Sequence, residues 1–307
     1  MNNFNHIPII DLGIADKLQL AKQVISISEN VGFFYIVNHG VDNILCQNVM
    51  NLSKEFFAYP QHVKEEISFD KSPYFRGYTA NKGTDKERNE CVRLGIDLPK
   101  NHPSVKSNKP LHGFNPRPQF MPEFNNIINQ YIAELNKVAN KLLELFAIGL
   151  NLKDDFFTQS ADLPLTTLLL LKYPKMNNLL EQVEGCRPHT DFHCLTFLLQ
   201  DDVGGLQVQN VNSEWINATT ISESFVVNIG DLLSHWTRGR FVATPHRVLR
   251  ITNQERYSIP YFFNVNYDTV VNPSDIDGKE NSAPYLPKVA GNHVLERVNA
   301  VYVKHTG

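Results

Sequence analysis

The stretch His189-Thr190-Asp191-Phe192-His193-Cys194-Leu195-Thr196-Phe197-Leu198-Leu199 sets imidazoles and a carboxylate directly ahead of an apolar, aromatic run. That run, followed by Asp201-Asp202 and Gly204-Gly205, reads as a strand closed by a turn. On a strand, residues two apart project to one face, so His189 and Asp191 can share a ligand. The pair is weak by itself, since chance places about 0.6 His-x-Asp pairs in a chain of this composition. His246, in Ala243-Thr244-Pro245-His246-Arg247-Val248, supplies a third donor. It falls in a strand-like run, Phe241 to Leu249, that a closed or sandwiched sheet would bring opposite the pair. Two imidazoles and one carboxylate on one side of a divalent metal leave adjacent positions open, the donor set of non-haem Fe(II) sites.

A second constellation follows ten residues later. Arg256-Tyr257-Ser258-Ile259-Pro260-Tyr261-Phe262-Phe263 has strand character, and Arg256, Ser258 and Phe262 share one face by alternation. A guanidinium turned into a sheet interior is costly to desolvate unless an anion meets it. Its planar fork takes a carboxylate through two parallel hydrogen bonds, to which a nearby hydroxyl adds a third. A metal cluster and an anion clamp on neighbouring strands fit a ligand that chelates iron at one end and carries a carboxylate at the other. 2-Oxoglutarate has that form.

Away from these motifs, the first half of the chain reads mainly as helices around a few strands. Leu45, Val49, Leu52 and Phe56 recur at helical spacing up to Pro60. Phe124, Ile128, Tyr131, Leu135, Val138, Leu142 and Leu145 mark a longer helix that stops near Gly149 and braces a sheet. The Pro-, Asn- and Lys-rich run from Asn101 to Pro118 is a loop. From Thr166 onward short apolar runs alternate with Gly, Asn or Pro, the pattern of a sandwich or barrel. Asp268 to Pro287 is loop-like, and Val289 to Tyr302 closes the chain as a helix.

Several ordered blocks resemble the 2-oxoglutarate- and Fe(II)-dependent dioxygenases of the isopenicillin N synthase-like group. They are Ile7-Pro8-Ile9-Ile10-Asp11-Leu12, Gly32 to Val41, Gly204-Gly205-Leu206-Gln207-Val208, Val227 to Leu233, Trp236-Thr237, His246-Arg247-Val248 and Arg256 to Pro260. The resemblance covers nearly the whole chain. It implies an α+β fold: a double-stranded β-helix (jelly-roll) core braced by helices, with a mainly helical N-terminal region. The expected division is 1–118 for that region and 119–307 for the bracing helix, catalytic core and C-terminal helix.

The resemblance also implies iron held by His189, Asp191 and His246, and 2-oxoglutarate gripped by Arg256 and Ser258, with Tyr173 touching it. Dioxygen is the oxidant and ascorbate a candidate reductant. The implied reaction converts 2-oxoglutarate to succinate and carbon dioxide while a small molecule is hydroxylated, desaturated or cyclised. Two departures stand out: relatives often carry a small residue at His193, and often Asn at Arg238. Parity would put His193 on the face of His189 and Asp191, which with Phe262 makes it a candidate substrate contact. Tyr74 to Ala80 and the Asn101 to Pro118 loop are the segments expected to choose the substrate.

Competing readings are a 2-oxoglutarate-independent Fe(II) oxidase, a metal- or ligand-binding sensor, and a zinc hydrolase, which would leave Arg256 unexplained. Any of the named residues could also be a hydrogen-bonded core residue; His39 and His235 read as structural. The 307 residues suffice for a sizeable core, and a net charge of −3 gives no reason to expect nucleic acid or an anionic membrane as partner. The four cysteines show no CxxC spacing, and no run is apolar enough to span a bilayer. The expectation is a cytoplasmic, monomeric enzyme acting on a small molecule.

Overall fold

The computed structural model describes residues 3–80, 89–175, 183–250 and 254–302. Twelve strands build its two main sheets. In chain order they are β1 (Ile9–Asp11), β2 (Phe33–Val37), β3 (Gly77–Ala80), β4 (Glu90–Gly95), β5 (Thr166–Tyr173) and β6 (Val183–His189). Then come β7 (Leu195–Gln200), β8 (Leu206–Gln209), β9 (Trp215–Asn217), β10 (Phe225–Ile229), β11 (His246–Arg250) and β12 (Arg256–Phe263).

One sheet runs β1-β2-β10-β7-β12-β5-β4-β3 and the other β6-β11-β8-β9. From β5 onward the chain therefore passes back and forth between the sheets, and the core pairings are antiparallel. This is the double-stranded β-helix, in which two sheets face each other across a shared interior.

Alternation along each strand sorts side chains between two cores. Leu168, Leu170, Phe197, Phe225, Val227, Ile259, Tyr261 and Phe263 point away from the cleft and join one apolar cluster with the helices. Their neighbours Tyr173, Leu198, Val226, Phe33 and Tyr35 face the second sheet and meet Leu206, Val208 and Val248. Each fully buried aliphatic or aromatic side chain contributes roughly 1.5–3 kcal/mol, so the double-sided packing fixes the register of the strands that carry the polar site.

The long helix Phe124–Gly149 buries the apolar row expected of it, and Tyr261 donates from its hydroxyl to Asn136 on that helix. Helix Asn43–Ala58 starts at Asp42, whose carboxylate accepts from the Ile44 N–H, and stops before Pro60. The Asn101–Pro118 loop contains one short helical turn, Pro103–Lys106, and Asp268–Pro287 contains another, Ser274–Asp277. Helix Ala290–Tyr302 ends the described chain. Among the described residues no helix is long and apolar enough to cross a membrane.

Candidate active site

The polar residues of interest lie in the cleft between the sheets. His189 ends β6 and His246 opens β11, and the two are register partners, which brings their rings to 4.3 Å between centroids. Asp191 Oδ1 lies 3.6 Å from His189 Nε2 and 3.8 Å from His246 Nε2. One donor atom from each of the three lies within 4.8 Å of the others. Ligand atoms of this kind sit about 2.0–2.2 Å from a bound ion, so one metal fits among them after small side-chain adjustments.

The strand-parity expectation holds over less chain than the sequence implied. β6 ends at His189, and residues 190–194 form an irregular connection to β7. Asp191 and His193 are held instead by backbone bonds. The Asp231 N–H donates to the Asp191 carbonyl at 2.6 Å, Leu232 to His193 at 3.2 Å, and Gly230 to Cys194 at 2.9 Å. That approach needs glycine, because a Cβ at Gly230 would stand 2.1 Å from the His193 carbonyl oxygen. Likewise only His246–Arg250 of the expected Phe241–Leu249 run is strand. Pro245 has no N–H for a ladder, and the preceding segment bonds elsewhere, Val242 N–H to Ser28 and the Thr244 hydroxyl to Val31.

The donor chemistry suits a cation. Asp191 is 6% exposed at its side chain, and its Oδ2 accepts from Thr196 Oγ1 at 2.6 Å and Asn228 Nδ2 at 2.8 Å. Those bonds leave Oδ1 facing the imidazoles. Burial works to raise the Asp191 carboxyl, but His246, His189 and the two neutral donors more than offset it and hold it below the ordinary range. Burial pushes His246 down, opposed by Asp191. Burial also opposes charge on His189, yet contact with Cys186 and Asp191 carries its pKa up to about 9. Each imidazole presents Nδ1 to a carbonyl, His189 to Arg187 at 2.8 Å and His246 to Thr244 at 3.2 Å. A carbonyl accepts only, so Nδ1 keeps a proton in each ring; His246 offers its Nε2 lone pair to the cluster, and His189 does so once a bound cation displaces its second proton. The His189 side chain is 40% exposed, which marks the side on which the cluster opens.

Arg256 and Ser258 occupy the same face of β12, both buried. Arg256 donates from Nε to the Gly204 carbonyl at 2.7 Å, from Nη1 to Ser258 Oγ at 3.0 Å and from Nη2 to Gln200 Oε1 at 3.2 Å. Its register partner on β5 is Tyr173, and the guanidinium carbon lies 5.2 Å from that ring's centre. Among the described residues no carboxylate is within ion-pair distance of Arg256.

His193 is buried, and its ring stacks on Phe262 at 4.8 Å with 29° between planes. Its Nδ1 has no hydrogen-bond partner among the described residues. Burial pushes the His193 ring down to about 3 against the pull of Asp191, so it is neutral. His39 and His235 are indeed tied into structure: His39 Nδ1 accepts from the Val41 N–H, and His235 Nε2 meets the Leu286 carbonyl.

Arg238 also acquires a reason. Its φ is 54°, a left-handed conformation that Asn tolerates well, and its guanidinium bonds both oxygens of Asp277. Nothing in the sequence marks Thr196, Asn228 or Gln200 as part of the site. Each is an ordinary polar residue on a strand, and only cross-strand pairing aims it at Asp191 or Arg256.

Comparison with known proteins gives concordant results. The profile of the 2OG-Fe(II) oxygenase superfamily matches residues 166–265. The profile described as non-haem dioxygenase in morphine synthesis N-terminal matches residues 7–119. The chain is 30% identical over 339 residues to homoarginine-6-hydroxylase 2-ODD-C23 of Glycine max, covering 99% of this chain and 96% of the relative. It is 31% identical to the 2-oxoglutarate-Fe(II) type oxidoreductase hxnY of Emericella nidulans, covering 95% and 86%. Among solved structures, a full-length Neurospora crassa protein in complex with alpha-KG and 5-formyluracil superposes with a TM-score of 0.83 at 26% identity, covering 98% of each chain.

Proposed function

Because the chain belongs to the 2-oxoglutarate- and Fe(II)-dependent oxygenase superfamily, we propose that His189, Asp191 and His246 hold its iron and that Arg256 and Ser258 hold the far carboxylate of 2-oxoglutarate. The chain is an oxidoreductase that uses Fe(II), 2-oxoglutarate and dioxygen on a small substrate. The observation that carries the residue assignment is the convergence of three donor atoms, within 4.8 Å of one another, from two strands and a connection.

With iron, 2-oxoglutarate and dioxygen bound, the group supplies the oxidising power, and 2-oxoglutarate leaves as succinate and carbon dioxide. The protein's part is placement. Thr196 and Asn228 occupy Oδ2 of Asp191 and so aim Oδ1 at the metal position. The Arg187 and Thr244 carbonyls fix the imidazoles with Nε2 inward. Arg256 keeps donor capacity for a carboxylate beside the Ser258 hydroxyl, and Tyr173 floors the clamp. His193 and Phe262 form the wall on the substrate side, where a dry, shaped surface shields the reacting carbon from water.

The relatives are linked to different small molecules, homoarginine in one and 5-formyluracil in another, so none of them fixes the substrate of this chain. Hydroxylation, desaturation and cyclisation all begin from the same placement of a C–H bond. Ascorbate would serve to keep the iron reduced, and the enzyme is read as a cytoplasmic monomer without nucleic-acid or membrane partners. The test is direct. Enzyme loaded anaerobically with Fe(II) and labelled 2-oxoglutarate should release labelled carbon dioxide when oxygen is admitted. Oxygen uptake that needs no 2-oxoglutarate would instead assign the Arg256–Ser258 pair to a substrate carboxylate.

A further inference from the structure

Arg76, which immediately precedes β3 and packs on β4, repeats elsewhere on the same sheet the situation of Arg256. It is 2% exposed. Nη1 donates to the Gly113 carbonyl at 2.6 Å and Nη2 to the Leu111 carbonyl at 3.0 Å, while Nε has no partner among the described residues. Among the described residues no carboxylate lies within ion-pair distance of it; Asp97 attracts it only from farther away and is itself paired with Arg117. Lys64, equally buried, shows the ordinary solution, an ion pair with Glu90. A buried cation met only by neutral oxygens is costly unless an anion completes it. Two of five guanidinium protons are used, and the fork geometry matches a carboxylate.

The surroundings indicate which anion. Arg76 lines a recess together with Tyr74, Arg93, Thr167 and His193. It joins the two segments expected to select the substrate, since it sits in one and bonds the carbonyls of the other. Its guanidinium lies flat against Gly95, where a Cβ would stand 2.9 Å from both Nε and Nη2. Gly95 pairs with Thr167, Thr167 with Phe262, and Phe262 with Thr196, the residue that donates to Asp191. One row of cleft-facing positions thus leads from the seat of Arg76, past the His193–Phe262 stack, to the metal cluster. Strands lie about 4.8 Å apart, so the two steps from Gly95 to Phe262 span about 10 Å.

We infer that the substrate bears a carboxylate received by Arg76, with its oxidisable carbon on the order of 10 Å away toward the His189–Asp191–His246 cluster. This rests on the oxygenase reading above and deepens it: the cleft takes two carboxylates, the co-substrate's at Arg256 and the substrate's at Arg76.

The experiment supplies iron-loaded enzyme and 2-oxoglutarate with straight-chain acids of about eight to ten carbons, matched to that span, and with their primary amides. Acids should stimulate succinate release and amides should not. Arg76→Gln should raise KM for a stimulating acid roughly 30-fold or more, with kcat far less affected, and Arg76→Lys should recover part of the loss. Equal stimulation by acid and amide, or an unchanged KM in Arg76→Gln, overturns the inference.

Should Arg76→Gln fail to fold, Gly95→Ala must give the same KM rise, because it displaces the guanidinium while keeping its charge. Anaerobic melting curves separate this inference from the oxygenase reading. Acids, not amides, should raise the melting temperature of wild type and not of Arg76→Gln, whether or not 2-oxoglutarate is ever decarboxylated. An enzyme whose melting and turnover ignore every acid would refute the assignment.

Discussion

At the His189–Asp191–His246 end of the cleft, a buried carboxylate accepts from Thr196 and Asn228 and faces two imidazoles. At the Arg256 end, a buried guanidinium over the Tyr173 ring hydrogen-bonds, among the described residues, only to the oxygens of Gly204, Ser258 and Gln200. The first place calls for a cation and the second for an anion. Both use neutral hydrogen bonds to aim a charged group without neutralising it, and that distinguishes them from Lys64, whose charge is met directly by Glu90. Neutral partners satisfy geometry while leaving charge for a ligand, so each end is expected to gain stability when its ligand arrives.

The largest break in that comparison is Asp191→Asn, which keeps shape and hydrogen-bonding capacity but removes the charge. Iron-dependent succinate release should fall by at least about 1,000-fold, and the rise in melting temperature on adding Fe(II) should vanish. A variant that still shows the iron-induced rise would remove Asp191 from the ligand set. At the opposite end, Arg256→Ala should raise the 2-oxoglutarate requirement by an amount corresponding to about 2–5 kcal/mol, leaving the iron-induced rise in place. Titrations of both ligands in the two variants read the ends independently.

Gly230→Ala probes the connection between them. Its Cβ must displace the His193 carbonyl, so a loss of about 1–3 kcal/mol of stability is expected, with weakened iron binding. Denaturant melts check the first part; wild-type stability would mean that the 190–194 connection yields freely. The smallest effect belongs to Ser258→Ala. Loss of one neutral hydrogen bond, about 0.5–1.5 kcal/mol, should raise KM for 2-oxoglutarate roughly 2- to 10-fold. A change as large as that of Arg256→Ala would make the hydroxyl an equal partner in the clamp.

Part of this arrangement is legible in the sequence because its signals are local. The apolar row from Phe124 to Leu145 can hide only on a helix, and the helix spans Phe124–Gly149. The alternation in Arg256 to Phe263 puts Arg256, Ser258 and Phe262 on one face, as observed. Parity misled beyond His189, because nothing in Thr190-Asp191-Phe192-His193 announces that the strand has ended. The end is imposed by Gly230, Asp231 and Leu232, almost forty residues away in the chain, whose N–H groups take the carbonyls that a ladder would have used.

By itself the sequence determined the chemistry on offer: two imidazoles, a carboxylate and an arginine beside a serine, with the histidines, the arginine and the serine on strands whose alternation sets their direction. Only the tertiary structure decided what those groups meet. Thr196 and Asn228 reach Asp191, Gln200 reaches Arg256, and Arg76 lies on Gly95 with no carboxylate in ion-pair distance among the described residues, all through contacts between chain segments far apart in sequence. Side-chain direction is a local property of the backbone, whereas partnership between buried charges depends on which strands are neighbours, and that is settled only when both sheets pack.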